Sequence, residues 1–205
     1  MPLVRNPTPT TAEPSTSNER KPAEILATGS DEERWIAARS AAETPEGLSL
    51  LTHALEVERV PRVREAMFTA LARMATPESA SVALPYLRSE DAALRTQALD
   101  ALRAMPEAAA KHLSQLLDDS DPDVRLLACE IARVLPTSDA SHVLGELIER
   151  ETNSNVCSAA IEVLAETGDV ASLPILARCA ERFPDDPFLT FAVKIASGRI
   201  GSSDR

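Results

Sequence analysis

The sequence predicts an all-α fold, an α-solenoid built from about five helical hairpins. Three observations favour this fold. Hydrophobic residues make up 44% of the chain but aromatic residues only 3%, so a helical core is available while a β-sandwich or barrel would lack its usual packing residues. Apolar residues recur at helical spacing in several segments. These segments also resemble one another, and self-similarity at a period of about 20 to 50 residues is the signature of a solenoid.

The repeat is clearest in four segments that each open on an apolar anchor residue. The anchors are Val63, Leu94, Val124 and Val156, which lie 31, 30 and 32 residues apart. In all four segments the residues 4, 7 and 8 positions after the anchor are also apolar. This spacing places the apolar side chains on one face of a helix. Each segment is therefore predicted to be one amphipathic helix with one buried face.

A second kind of helix is predicted to alternate with the anchored ones. Start signals such as Thr76-Pro77-Glu78 and Met105-Pro106-Glu107 recur, and Pro and Glu both suit the first turn of a helix. Short polar loops such as residues 118–122 then force neighbouring helices to be antiparallel. By the same spacing, residues 31–42 are predicted to be the second helix of a degenerate first repeat. Residues 186–196 are predicted to be the closing helix, ended by Gly198 and Gly201.

Composition divides the chain into three parts. Residues 1–30 contain five prolines among Thr, Ser and charged residues, a composition that cannot bury enough apolar surface to fold alone. We expect a disordered tail over residues 1–30, a solenoid over residues 31–200 and a disordered C-terminus over residues 201–205. The tail is either a passive extension, a linker or a partner-binding segment.

The charge of the chain argues against two classes of partner. The net charge is −11, and all of it falls on residues 31–205 because residues 1–30 sum to zero. An acidic surface repels phosphate backbones and anionic lipid, so we expect no nucleic-acid and no membrane partner. The N-terminus has no apolar leader and the three cysteines are irregularly spaced, which is typical of a cytoplasmic protein with reduced thiols.

The segment Asp121-Pro122-Asp123-Val124-Arg125, within a helical hairpin of 30 to 32 residues, resembles the short HEAT-like repeat named after the phycobilisome lyases. The resemblance covers residues 31 to about 198. It implies a right-handed α-α superhelix. It carries little information on function, because this repeat serves many unrelated roles.

In such repeats the arginine that follows the anchor generally ties neighbouring hairpins together. Arg64, Arg95 and Arg125 match this position, whereas Cys157 departs from it. At the edge of the apolar arc a guanidinium needs an acidic partner from an adjacent turn or repeat, and Asp91 and Asp121 are the candidates. The alternative is that these arginines contact a ligand.

No catalytic constellation is evident. His53, His112 and His142 stand at different positions of their helices, and none is followed by Glu, so the His-Glu pairs that hold iron in the HEAT-type deoxyhypusine hydroxylases are absent. No Gly-rich phosphate loop and no G-x-S-x-G elbow occur either. We expect no enzyme activity, no metal and no cofactor. The alternative that the resemblance implies is a lyase-like or chaperone-like factor for a cofactor-bearing protein, of the bilin-lyase type.

The predicted function is that of a protein-binding adaptor or scaffold, in bacterial signalling or complex assembly. In HEAT solenoids the second helices line the concave face, and the arc opposite the core holds the residues 2, 6 and 9 positions after each anchor. The candidate protein-binding residues on this arc are Glu65, Thr69, Asp100, Arg103, Leu126, Glu130, Arg133, Ser158 and Glu162. This acidic column predicts a basic or mixed-charge partner, with Leu126 as an exposed apolar anchor. The alternative is that Asp100 with Arg103, and Glu130 with Arg133, are ordinary solvated ion pairs.

Overall fold

The structure is a computed structural model that describes residues 20–203, and within this range it contains α-helices and short 3₁₀ segments but no strand. The helices are α1 (Pro22–Thr28), α2 (Asp31–Ala41), α3 (Gly47–Val57), α4 (Pro61–Met74), α5 (Pro77–Ala83), α6 (Ala92–Arg103), α7 (Pro106–Leu117), α8 (Pro122–Ala132), α9 (Thr137–Arg150), α10 (Ser154–Thr167), α11 (Leu173–Arg182) and α12 (Pro187–Ser203). The 3₁₀ segments are Leu84–Arg88 and Val170–Ser172.

The helices form hairpins that stack into two rows. The second helices α2, α4, α6, α8, α10 and α12 each pack against the next one in the series, and the first helices α1 with α3, α5 with α7 and α9 with α11 do the same. Each hairpin therefore contacts only its neighbours along the stack, which is the arrangement of a solenoid. The predicted all-α solenoid is confirmed. The described residues hold six hairpins rather than about five, because α1 and α2 form a complete first one.

The core follows the apolar stripe that the repeat predicts. The residues 4 and 8 positions after each anchor are all buried, namely Met67, Ala98, Ala128 and Ala160, then Leu71, Leu102, Ala132 and Leu164. Three of the anchors, Val63, Val124 and Val156, are also buried. Leu94 differs, since it packs against the core but is only partly buried. The stripe places one face of every second helix inside and leaves the opposite face for the site described below.

The N-terminal boundary differs from the prediction. Residues 22–28, expected to belong to a disordered tail, form helix α1, whose Leu26 is buried and which packs against α2 and α3. Ser30 then caps α2 through a reciprocal pair of hydrogen bonds with Glu33, which satisfies two free N–H groups at the start of that helix. The apolar contacts of α1 explain its order. Residues 1–19, the rest of the predicted tail, lie outside the described residues.

The C-terminal boundary also differs. Helix α12 continues through Gly198 and Gly201 to Ser203, so both glycines that were expected to end the helix lie within it. Residues 201–203, which were predicted to be disordered, also belong to this helix. A buried stripe of Leu189, Val193, Ala196 and Ile200 runs past Gly198 along this helix. Its packing outweighs the roughly 1 kcal/mol that a glycine costs in a helix. Residues 204 and 205 lie outside the described range.

Candidate functional site

The exposed side of the second-helix row carries a cleft between α4 and α6. This cleft has a volume of about 260 Å³ and brings together three of the predicted protein-binding residues, Glu65, Thr69 and Asp100. Buried Phe68 and partly buried Gln97 also line it. The two carboxylates are exposed, and they are the only charged groups among the residues that line this cleft.

A second cleft lies further along the same row, between α8 and α10. It has a volume of about 360 Å³ and brings together four more of the predicted residues, which are Leu126, Glu130, Ser158 and Glu162. Asp123, in the first turn of α8, lies at the same cleft. Here too the charged lining residues are all carboxylates. We call the exposed surface of α4, α6, α8 and α10 that holds the two clefts the second-helix face.

The two predicted arginines line neither cleft. Arg133 donates two hydrogen bonds to the Glu130 carboxylate, from Nε at 3.1 Å and from Nη2 at 2.9 Å. Its Nη1 donates to the carboxylate of Glu166. The hydrogen bonds to Glu130 raise the pKa of the Arg133 guanidinium above its ordinary value. For Glu130 the ordinary i, i+3 ion pair is therefore the observed arrangement.

The corresponding pair one repeat earlier does not form. Asp100 and Arg103 make no ion pair within 4 Å, although both belong to the described residues. The Nε atom of Arg103 is instead buried and has no hydrogen-bond partner among residues 20–203. Asp100 is consequently left free to face the cleft between α4 and α6.

Leu126 is not the exposed anchor that the sequence predicts. Both Leu126 and its neighbour Leu127 are partly buried and pack against the core. The reason is that adjacent second helices approach each other closely enough to cover the flanks of the apolar stripe. Leu126 still lines the cleft between α8 and α10, so it contributes a partly covered apolar surface there.

Arginine–carboxylate pairs also join neighbouring hairpins. Arg125 of α8 bonds to Glu151 at the end of α9, from Nε at 2.7 Å and from Nη2 at 3.0 Å, and its Nη1 donates to the carbonyl oxygen of Asp119 at 2.7 Å. The Glu151 carboxylate also accepts the backbone N–H groups of Thr152 and Asn153, each at 2.9 Å. One buried carboxylate thus fixes both the loop and its neighbour hairpin.

The same arrangement occurs at the start of the solenoid. Arg34 of α2 bonds to Glu58 at 2.7 and 3.2 Å, and Glu58 accepts the N–H groups of Arg59 and Val60. The sequence analysis missed Arg34, Glu58 and Glu151. One signal could have found the carboxylates, because each lies three residues before the first residue of a second helix, at Pro61 and Ser154.

The other arginines of this series have different partners. Arg64 bonds to Asp91 at 3.2 Å, as predicted. Arg95 donates to the carbonyl oxygen of Ser89 at 2.6 Å rather than to Asp121, whose side chain caps α8. Three of the four arginines, Arg34 included, join neighbouring hairpins, and Arg95 bonds within its own hairpin. The ligand-contact alternative therefore has no support from their geometry.

All three cysteines lie within the described range, residues 20–203. Cys129, Cys157 and Cys179 are buried and form no disulfide. Burial raises the pKa of the Cys129 thiol to about 12. No group of three or more His, Cys, Asp or Glu side chains in this range is arranged to hold a metal ion. Within the same range, every helix is too short or too polar to span a bilayer.

Part of the chain is similar to a known repeat family. The family model for HEAT repeats matches residues 109–193, which run from within α7 to the first seven residues of α12. Among curated proteins no significant match is found.

Two solved structures are similar to this chain. An engineered protein from the Northeast Structural Genomics Consortium is 19% identical, with a TM-score of 0.42 over 88% of this chain and 95% of that one. A designed armadillo repeat protein is 16% identical, with a TM-score of 0.44 over 87% and 98% of the two chains. The phycobilisome-lyase subtype of the repeat stays a prediction.

Proposed function

We propose that this HEAT- or armadillo-like repeat protein is a non-enzymatic scaffold that binds a basic segment of a partner protein on its second-helix face. The observation that carries the proposal is that two successive clefts on one face have only carboxylates as charged lining residues. A cytoplasmic location and a role in signalling or complex assembly belong to the same proposal. Repeat solenoids commonly use such extended surfaces for binding.

Among the predicted binding residues, three exposed carboxylates supply charge to a partner. Glu65, Asp100 and Glu162 are exposed, and none of them forms an ion pair within 4 Å with another described residue. Glu130 contributes less, because Arg133 already neutralises it. A column of unpaired carboxylates attracts Lys or Arg side chains, raises the association rate and makes binding sensitive to salt.

The clefts also offer apolar surface beneath the carboxylates. Phe68 and Ala101 line the first cleft, and Leu126 and Val156 line the second. Cleft volumes of about 260 and 360 Å³ suit single side chains of a peptide better than a whole cofactor. A segment with basic residues for the carboxylates and apolar side chains for the clefts has the matching chemistry.

A charge-reversal experiment tests the proposal. The face variant carries Glu65→Lys, Asp100→Lys and Glu162→Lys, and a matched control carries Glu56→Lys, Glu146→Lys and Glu181→Lys. All three control residues are exposed on the first helices α3, α9 and α11, so both variants change the net charge equally. Proteins captured by wild type and by the two variants are quantified by mass spectrometry, and circular dichroism checks that helicity is unchanged.

We expect a set of basic partners that wild type and the control retain and the face variant loses. Raising the salt concentration should release the same set, because exposed charge pairs are screened within about 8 to 10 Å at physiological ionic strength. Equal capture by all three proteins, or loss by the control alone, would contradict the proposed face.

A further inference from the structure

The closing helix α12 is apolar on two opposite sides. Its inner side is buried in the solenoid. On its outer side Phe188, Phe191 and Ile195 are 85%, 63% and 44% exposed. The end repeats of a solenoid normally carry a polar outer face, since nothing stacks on them. Apolar residues on both sides of a helix favour contacts on both sides, so the outer side of α12 has the composition of a covered surface.

The exposed residues of α12 follow the spacing of a helix-pairing seam. Positions 188, 191, 195, 198 and 202 are separated alternately by three and four residues, which is the heptad pattern of two packed helices. The first half of this seam is bulky, with two phenylalanines and an isoleucine. The second half is small, with Gly198 and Ser202. A Cβ atom at Gly198 would meet no atom within 4 Å, so this half is open space.

We propose that the outer side of α12 pairs antiparallel with α12 of a second copy of this chain, giving a two-fold symmetric dimer. In the antiparallel register Phe188 of each copy lies over Gly198 of the other, and Phe191 packs against Ile195. The bulky half of one seam thus fills the open half of the other, which is the self-complementarity that a two-fold interface requires. Parallel pairing would set Phe188 against Phe188 and leave an empty space at Gly198.

The apolar area is sufficient to form the centre of such an interface. A phenylalanine buries about 150 to 250 Å² when it is fully covered, and the two copies contribute four of them. Because Phe188 is 85% and Phe191 63% exposed, these four side chains can bury roughly 440 to 740 Å², about half of the roughly 1,200 Å² at which specific interfaces begin. The pairing also continues the stacking by which α12 already packs against α10.

The oligomeric state of the full chain tests the proposal. Light scattering after size exclusion measures the mass from roughly 1 to 100 μM, a range that resolves dimers of micromolar affinity. We expect wild type to reach twice the 22.0 kDa of one chain. Phe191→Glu should be a monomer throughout. Gly198→Leu should weaken the dimer at least tenfold, since it fills the space of Phe188 while its Cβ meets no atom of its own chain within 4 Å.

Val57→Glu is the matched control, because Val57 is 68% exposed on α3, away from the seam. It should dimerise like wild type, and all variants should keep the helical circular dichroism of the wild type. A monomeric wild type at the highest concentration would overturn the proposal. So would a dimer that survives Phe191→Glu or Gly198→Leu, or a mass that keeps growing beyond two chains, which would indicate head-to-tail assembly.

Discussion

Arg125 and Glu151 form a two-point hydrogen-bonded ion pair that joins the fourth hairpin to the fifth. The pair is largely shielded from water, since the exposed fractions of the two side chains are 16% and 4%. Arg34 and Glu58 repeat the arrangement between the first hairpin and the second. A solenoid has few contacts between distant residues, so such bridges carry much of the specificity with which each hairpin docks on the next.

Removing the Glu151 carboxylate should therefore destabilise the fold. Glu151→Ala leaves the Arg125 guanidinium without its partner in a mostly buried position, so we expect the free energy of unfolding to fall by roughly 2–4 kcal/mol. Glu43→Ala is the matched control, because Glu43 pairs with Arg73 at 2.8 Å but is 70% exposed. Its loss should cost less than about 1 kcal/mol. Urea unfolding measures the free energy of unfolding of both variants. Equal decreases in the two variants would contradict a structural role for the buried pair.

The same pair should make stability depend on pH. Burial alone would raise the pKa of the Glu151 carboxyl, but hydrogen bonds from Arg125 and from the N–H of Asn153 more than offset this, so its pKa lies below the ordinary value. A carboxyl with a lowered pKa in the folded state stabilises the fold above its unfolded pKa of about 4.3, and this stabilisation is lost as the pH falls through the folded value.

Comparison with Glu151→Gln isolates this contribution, because Gln does not titrate and Glu58 is present in both proteins. The difference in free energy of unfolding between wild type and Glu151→Gln should be constant from about pH 7 to pH 6 and should shrink below about pH 4. Urea titrations at several pH values provide the measurement. A difference that stays constant or grows on acidification would be inconsistent with a lowered pKa at Glu151.

Two glycines should respond in opposite ways to the same substitution. Gly47 opens α3, and a Cβ there would lie 1.8 Å from the carbonyl oxygen of Ala41, so Gly47→Ala must move the backbone and should cost at least about 2 kcal/mol. A Cβ at Gly201, within α12, would meet nothing within 4 Å. Gly201→Ala should leave stability unchanged or raise it by up to about 1 kcal/mol. Thermal unfolding measures the stability of both variants. A similar change in stability for Gly47→Ala and Gly201→Ala would contradict this prediction.

Sequence periodicity predicted the parts of the fold that depend on local pattern. The spacing of Val63, Val124 and Val156 placed the second helices and their buried face, because a helical stripe repeats every 3.6 residues whatever surrounds it. Helix α1 was missed because the burial of Leu26 depends on contacts with α2 and α3. The length of α12 was missed because a glycine such as Gly198 commonly follows the last residue of a helix.

The candidate site was predicted only in part, for the same reason. The helical wheel correctly grouped Glu65 with Asp100, and Glu130 with Glu162, on one side of their helices. It could not predict that the column is divided into two clefts, since a cleft depends on the gap between adjacent helices. The partner of Arg125 was missed because Glu151 directly follows a first helix, whereas the acidic partners that were predicted, Asp91 and Asp121, lie directly before second helices.

Carboxylate footprinting of the complex with a captured partner tests the second-helix face most directly. A water-soluble carbodiimide couples an amine to accessible carboxylates, and mass spectrometry measures the labelling of each residue with and without the partner. We predict that labelling of Glu65, Asp100 and Glu162 falls on binding, while labelling of Glu56, Glu146 and Glu181 on the first helices is unchanged. Protection confined to the first-helix residues, or no protection of Glu65, Asp100 and Glu162, would contradict binding on the second-helix face.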